Sequence, residues 1–128
     1  MNLLLDTVTF LRAALGEEFL SPGAKQLLVD PENRRFLSPI SACEIVIKSR
    51  AGKLGLPESP ESFVPKHREA LALEVLAFDE ASALHMARLP DIHRDPFDRI
   101  LISQALVHGM VLVTPDRTIS RYPVRTAW

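Results

Sequence analysis

The chain has 128 residues, enough to bury a real core as one domain spanning 1–128, and 47% of them are apolar against 24% charged, which excludes a disordered protein. A formal charge of -1 excludes a strongly basic protein that binds nucleic acid by charge alone, though not local basic patches. The single cysteine, Cys43, excludes an internal disulfide and a cysteine-based zinc site and suits a reducing cytosol. Leu3-Leu4-Leu5 is cut off by Asp6, so neither a signal peptide nor a membrane span is expected.

Asn2 to Leu5 is a short apolar run, predicted as a buried strand. Helical spacing follows through Phe10, Leu11, Ala13, Ala14 and Leu15 until Gly16. Ser21-Pro22 opens a second helix with Ala24, Leu27 and Leu28 on one face, and Asp30-Pro31-Glu32-Asn33 is a turn. Arg35 to Ser38 reads as a second strand. Ser38-Pro39 opens a longer helix through about Arg50, stopped by Gly52, and Gly55 and Pro57 mark a loop. Ser59-Pro60 starts a helical region to about Leu73, where Pro65 predicts two short helices or a kink. Glu74 to Phe78 reads as a third strand. Asp79 caps a helix carrying Ala83, Leu84 and Ala87, and Leu89 to Arg94 is a loop. Asp95-Pro96 opens a helix to His108, terminated by Gly109, with Phe97, Ile100, Leu101 and Ala105 on one stripe. Met110 to Val113 is an apolar strand, Thr114-Pro115 starts a short helix to about Arg121, and Val124 to Ala127 is an edge strand. Apolar runs alternating with helices imply an α/β fold: a parallel sheet of four to five strands covered by helices on both faces.

In such a sheet, sites form outside the C-terminal ends of the strands. That rule selects Asp6, just after the first strand, and Asp116, just after the fourth. Asp95 and Asp98 open the helix that ends at His108. Glu44 sits in the helix after the second strand, among Ile40, Ala42, Cys43, Ile45, Val46 and Ile47. Ser41, Glu44 and Lys48 form its one polar stripe, so the helix is expected to be buried almost all round with that stripe lining a cleft, and Cys43 is expected in the core. Each acid also has an ordinary role as a cap, a first-turn acid or a surface ion pair. As a set, carboxylates converging at one end of a sheet repel and raise one another's pKa unless a cation sits among them. Oxygen donors without cysteine point to Mg2+ or Mn2+. His67, His85, His93 and His108 show no ligand-like spacing and are expected at the surface or rim. Hard divalent ions suit water activation and neutralisation of a phosphodiester. Lys48, Arg94, Arg99 and Arg117 adjoin the acids, and Arg50, Lys53, Arg121 and Arg125 could guide a polynucleotide backbone.

These residues carry a resemblance. Leu3-Leu4-Leu5-Asp6-Thr7, Ser38-Pro39-Ile40-Ser41-Ala42-Cys43-Glu44-Ile45-Val46-Ile47-Lys48, Gly52-Lys53-Leu54, Asp95-Pro96-Phe97-Asp98-Arg99-Ile100-Leu101-Ile102-Ser103-Gln104-Ala105 and Leu112-Val113-Thr114-Pro115-Asp116-Arg117 together resemble a PIN-domain ribonuclease of the VapC toxin type. The order and spacing match over essentially the whole chain. The resemblance implies a PIN-like three-layer fold and Mg2+- or Mn2+-dependent hydrolysis of RNA in the cytoplasm. It further implies a homodimer and a small antitoxin protein that lays a segment in an apolar groove. Carried over by position, Asp6, Glu44 and Asp98 match the metal-binding acids and Asp116 a fourth, more variable one. Asp95 matches a frequent extra acid, and Thr7, Ser41 and Thr114 match hydroxyl residues that bond the acids or metal waters. Lys48 is expected to contact a phosphate or orient Glu44, and Arg94, Arg99 and Arg117 to contact RNA. Similar sequences often carry His or Asn where this chain has Val8, a departure expected to change cleft polarity and substrate choice.

Three other readings compete with this one. A haloacid-dehalogenase-like phosphotransferase wants a second Asp where Val8 stands. A response-regulator receiver wants an acidic pair beside the first strand, which Asp6 lacks. A PIN-like binding module without catalysis remains as the alternative, and added metal separates it from the nuclease, because a degenerate site gains no stability from Mn2+.

Overall fold

A computed structural model describes residues 1–128. Its strands are β1 (Asn2–Leu5), β2 (Arg34–Leu37), β3 (Glu74–Val75), β4 (Val111–Val113) and β5 (Thr126–Ala127). Its helices are α1 (Thr7–Leu15), α2 (Pro22–Val29), α3 (Pro39–Arg50), α4 (Pro60–Ala70), α5 (Glu80–His85) and α6 (Pro96–His108). The five strands form one parallel sheet in the order β3-β2-β1-β4-β5. No helix is long and apolar enough to cross a membrane.

Successive side chains of a strand face opposite ways, so the register sorts the core into layers. Leu4 pairs with Phe36 on β2 and Leu112 on β4, and these three share a cluster with Leu101, Ile102 and Ala105 of α6. Leu5 and Leu37 point the other way, onto Phe10 of α1, Ile45 of α3 and Phe63 of α4. Leu3, Val111 and Val113 meet Ala24 of α2 and Leu20. Leu3, Leu4 and Leu5 have no exposed surface, which explains why β1 reads as a continuous apolar run instead of an alternating one.

Most helices start where a side-chain acceptor can meet a free N–H. Asp6, Ser21, Ser38, Ser59, Asp79 and Asp95 cap α1 to α6 in turn, with proline following four of them. Gly109 ends α6 at φ 64°, the left-handed conformation that costs glycine least.

Four of the expected elements differ in the structure. The third strand is Glu74–Val75 instead of reaching Phe78, because Gln104 Nε2 takes the Leu76 and Ala77 carbonyls at 3.4 and 3.3 Å. The last strand is likewise short, at Thr126–Ala127. Pro65 breaks nothing: α4 runs through it from Pro60 to Ala70. Pro65 and Glu61, whose carbonyl loses its partner, are both exposed, so water replaces the lost bond. No helix starts at Pro115. Asp116 Oδ1 accepts from Thr118 N at 2.8 Å instead, and only a 3-10 turn at Ile119–Arg121 follows.

Helix α3 inverts the expected pattern. Ser41 and Glu44 are 0% and 4% exposed, whereas Val46 and Ile47 are 39% and 50% exposed and Cys43 is exposed too. Its polar stripe packs inward because Thr7 and Lys48 satisfy Glu44 there.

Candidate functional site

The connection from β3 through α6 to β4 crosses to the far side of β1, so the winding of the sheet reverses between β1 and β4. A crevice opens outside the carboxyl ends of the strands at such a switch point. Asp6 follows β1 and Thr114 follows β4, and both are buried.

Asp6 caps α1, with Oδ1 accepting from Thr9 N at 2.7 Å, and Thr114 Oγ1 donates to Oδ2. Asp116 N donates in turn to Thr114 Oγ1 at 3.0 Å. On the facing side, Thr7 Oγ1 donates to Glu44 Oε1 at 2.7 Å and lies 2.9 Å from Ser41 Oγ. Lys48, one turn further along α3, donates to Glu44 Oε2 and lies 3.8 Å from Asp95 Oδ2. This is the i, i+4 pair expected at the surface, but its acid is buried. Asp95 Oδ1 caps α6 through Phe97 N at 2.9 Å.

Asp98 and Asp116 meet across His93, a residue expected at the rim and not among the acids. His93 Nε2 is 2.8 Å from Asp116 Oδ2 and 3.3 Å from Asp98 Oδ2. The ring's other nitrogen, Nδ1, accepts from Asp95 N at 3.1 Å. With Nδ1 the acceptor there, Nε2 is turned to the carboxylates as the donor. His93, Asp98 and Asp116 bring their polar atoms within 4.8 Å of one another, and Asp6 and Glu44 stand deeper.

The loop holding His93 is itself tied down. The Tyr122 hydroxyl, on a side chain 3% exposed, accepts from the backbone N–H groups of Ile92 at 3.3 Å and His93 at 2.7 Å. Arg99 donates to the same hydroxyl at 3.2 Å and to the Pro90 carbonyl at 2.8 Å. Arg99 was expected to face RNA. Its guanidinium is instead turned back to the loop, because the hydroxyl and carbonyl there satisfy it. Arg94 and Arg117 are exposed and engage no acid; Arg94 lines a concavity with Lys48 and Asp95, and Arg117 another with Thr114 and Asp116.

The charges strain one another. Burial pushes the Asp98 carboxyl up to about 7, with Asp95, Asp6 and Glu44 adding repulsion that His93 offsets only in part. Burial also raises Asp6, against its hydrogen bonds from Thr114 and Thr9 and with a smaller contribution from Glu44. Burial works against the Lys48 charge, but Glu44, Asp95 and Asp98 outweigh it and raise its pKa. Burial of Asp116 is outweighed by His93 and the Thr118 N–H, which hold its carboxyl below the usual range.

Asp6, Glu44, Asp95, Asp98 and Asp116 outnumber Lys48 and His93, and the donors on offer are carboxylate oxygens backed by hydroxyls. A hard divalent cation fits that set. His93 and Tyr122 were missed in the sequence because each acts from a loop onto a residue more than twenty positions away. The available signal was the placement of His93 two residues before a helix-capping Asp.

The fold and the crevice define an α/β protein with an acid-centred site at a switch point of the sheet. Residues 3–124 match the family described as PIN domain, and the chain belongs to that family. Among solved structures it is similar to VapBC2 from Rickettsia felis bound to a promoter DNA fragment, at 18% identity and a TM-score of 0.76, covering 100% of this chain and 99% of that one. It is similar to DNA-bound VapBC from Salmonella typhimurium at 21% identity and a TM-score of 0.61, covering 99% and 97%. It is also similar to VapBC-5 from Mycobacterium tuberculosis, a member of the VapBC family of toxin-antitoxin systems, at 16% identity and a TM-score of 0.58, covering 94% and 89%. These likenesses are of fold. A comparison with curated protein sequences finds no match.

Proposed function

We propose that this chain is an Mg2+- or Mn2+-dependent endoribonuclease that acts in the cytoplasm as the toxin of a toxin–antitoxin pair, as a homodimer. The observation that carries the reading is the acid-lined crevice at the switch point: Asp98 and Asp116 meet across His93, and the Asp98 carboxyl, pushed up to about 7 by burial, is repelled by Asp95, Asp6 and Glu44. PIN-domain proteins are generally nucleases that use a divalent metal, and similar folds occur in toxin–antitoxin complexes.

On this reading Asp6, Glu44, Asp98 and Asp116 would hold the cation. When bound, it supplies Lewis-acid activation of a water and neutralisation of the phosphodiester. The remaining work falls to the chain. Thr114 and the Thr9 N–H fix the Asp6 carboxylate, and Thr7 and Lys48 fix Glu44. His93 spans Asp98 and Asp116 from a loop anchored on Tyr122. Asp95 caps the helix that carries Asp98 and adds to the negative field that calls for a cation. Lys48, at the crevice, offers a positive charge to a substrate phosphate, and Arg117 offers another beside Asp116. An antitoxin segment finds a seat in the apolar cavity of about 310 Å3 that Leu20, Leu28, Leu71 and Leu73 line at the ends of α1, α2 and α4.

The test is cleavage of a mixed pool of structured RNA with Mn2+ or Mg2+ against EDTA, for the wild type and Asp98→Asn in parallel. Metal-dependent cutting lost in the variant is the expected result. No cutting by either protein, with no rise in melting temperature on adding Mn2+, would overturn it in favour of a binding module.

A further inference from the structure

The apolar cavity at the ends of α1, α2 and α4 holds a charge that nothing in the chain answers. It has a volume of about 310 Å3 and is lined by Leu5, Leu20, Leu28, Leu71 and Leu73. Arg35 reaches it from β2. Side chains alternate along a strand, so Arg35 shares a face with Leu37, a residue of the core. A guanidinium thus stands where that face would ordinarily carry an apolar side chain. Its Nη1 donates to the Leu28 carbonyl in the last turn of α2, where no helical N–H is available. The remaining edge, Nε with Nη2, has no partner, and Nε is buried. The preceding residue shows what that edge can do: Arg34 uses its Nε and Nη2 to hold both oxygens of Glu74, at 3.0 and 2.9 Å. Arg35 has no such acid. Neither Arg35 nor the half-buried Lys25, the second cation of the lining, makes an ion pair, and the one acid there, Glu17, is exposed.

An unpartnered guanidinium edge in an apolar enclosure selects a ligand with two unlike ends. A carboxylate meets Nε and Nη2 together and supplies the missing counter-charge. An apolar body displaces water from the leucines. Size sets the third condition. A water takes about 30 Å3 of liquid, so the cavity admits a body of about ten non-hydrogen atoms, at the small end of ligand sites. We propose that this cavity is a binding site for a small amphipathic carboxylate, with Arg35 taking the acid group and Leu5, Leu20, Leu28 and Leu73 the apolar body. Lys25 adds positive charge to the lining that attracts the acid group. Such a ligand and the partner segment seated there above exclude each other, so the ligand would release the partner. Only that consequence rests on the toxin–antitoxin reading; the site itself does not.

The test uses octanoate, which has the proposed head and length, and octanol as its neutral counterpart. Calorimetry measures binding to the full chain, and methyl NMR places it. Octanoate should bind one per chain with a dissociation constant of about 0.1 mM or tighter. It should shift the methyl signals of Leu5, Leu20, Leu28, Leu71 and Leu73 and leave Leu101 and Leu112, which pack in the separate cluster against α6, unmoved. Arg35→Met keeps the aliphatic stem, and it should weaken octanoate about tenfold or more while leaving octanol unchanged. Ala13→Leu fills the cavity from α1 and should abolish binding of both. Arg125→Met, at an exposed position beside β5 and the opposite edge of the sheet, is the control and should change neither. The methyl map is read on the wild type, so it decides the matter even where Arg35→Met unfolds. No binding at millimolar octanoate, or binding that moves no leucine of the cavity, overturns the site and leaves the cavity to the partner segment. Equal octanoate affinity in the wild type and a folded Arg35→Met overturns the assignment of the carboxylate to Arg35. No metal or RNA enters these measurements, so their failure leaves the nuclease reading standing, and failed cleavage leaves this site standing.

Discussion

Asp98→Asn should make the metal-free protein more stable while destroying its proposed activity. Asp98 ionises near 7 in the fold against 3.8 when free, a difference of about 3 units, and each unit is worth 1.36 kcal/mol. Keeping this carboxylate charged above pH 7 therefore costs the fold at most about 4 kcal/mol. The side chain is 16% exposed, so solvent screening removes little of that. Asparagine has the same shape and no charge, but it gives up the attraction to His93, so a gain of about 2–3 kcal/mol is expected. For a chain of this size that is roughly 6–12 °C in melting temperature. The sign follows from proton binding. Because the folded pKa lies above the unfolded one, the native state holds the extra proton between pH 3.8 and about 7. The stability this confers is complete below about 4 and is lost as the pH rises through 7. The wild type should thus fall furthest behind Asp98→Asn at pH 8, and the gap should close as the pH is lowered toward 4. Thermal melts of both proteins at pH 8, 6.5 and 5 in EDTA measure this, since titrations common to the two proteins cancel in the difference. Adding Mn2+ at pH 8 to about a hundred times its dissociation constant should return about 2.7 kcal/mol to the wild type and little to the variant. A variant that melts at or below the wild type at pH 8 in EDTA, or a gap that ignores pH, refutes the claim that these carboxylates repel.

Tyr122→Phe keeps the buried ring but leaves the N–H groups of Ile92, His93 and Arg99 without their shared acceptor. It should cost about 1–3 kcal/mol in a denaturant melt and weaken Mn2+ binding by calorimetry, because the loop that carries His93 loosens. Lys48→Met keeps the aliphatic stem and removes the charge beside Glu44, so kcat should fall about tenfold or more with the protein still folded. Unchanged kinetics remove Lys48 from the site. Gly109→Ala puts a side chain at φ 64° with nothing within 4 Å to clash, so the loss should be the backbone cost alone, about 1 kcal/mol by chemical denaturation, with unchanged activity per folded molecule.

What the sequence disclosed of the fold tracks how local each cause is. Leu3-Leu4-Leu5 and Val111-Leu112-Val113 are buried on both sides, so their apolar runs identify the central strands without any partner being known. Ser and Asp caps followed by proline are equally local, and they mark the starts of α2, α3, α4 and α6. The ends of β3 depend on Gln104, a residue of α6 about thirty positions away, and no window around Glu74 contains that fact. The turn after Pro115 failed for a different reason. An Asp can cap a helix or close its own turn with the same oxygen, and Asp116 does the second because its other oxygen is held by His93.

Helix α3 shows where hydropathy misleads and chemistry does not. Its apolar residues suggest burial all round, yet Cys43, Val46 and Ile47 are at the surface while Ser41 and Glu44 are inside. Glu44 can be buried only because Thr7 and Lys48 meet both its oxygens, and Thr7 comes from another element. The fold thus accepts a buried acid at a cost that a leucine there would not incur. Asp6 repeats the pattern with Thr9 and Thr114. Two buried acids on separate elements, each with both oxygens met by donors, and a third raised to about 7 beside them, are hard to explain by stability alone. Structural caps would be better placed at the surface, where water shares the charge. The rule about strand ends found these acids because it concerns where backbones stop. It could not find His93 or Tyr122, because the partner that anchors each one lies on a distant element.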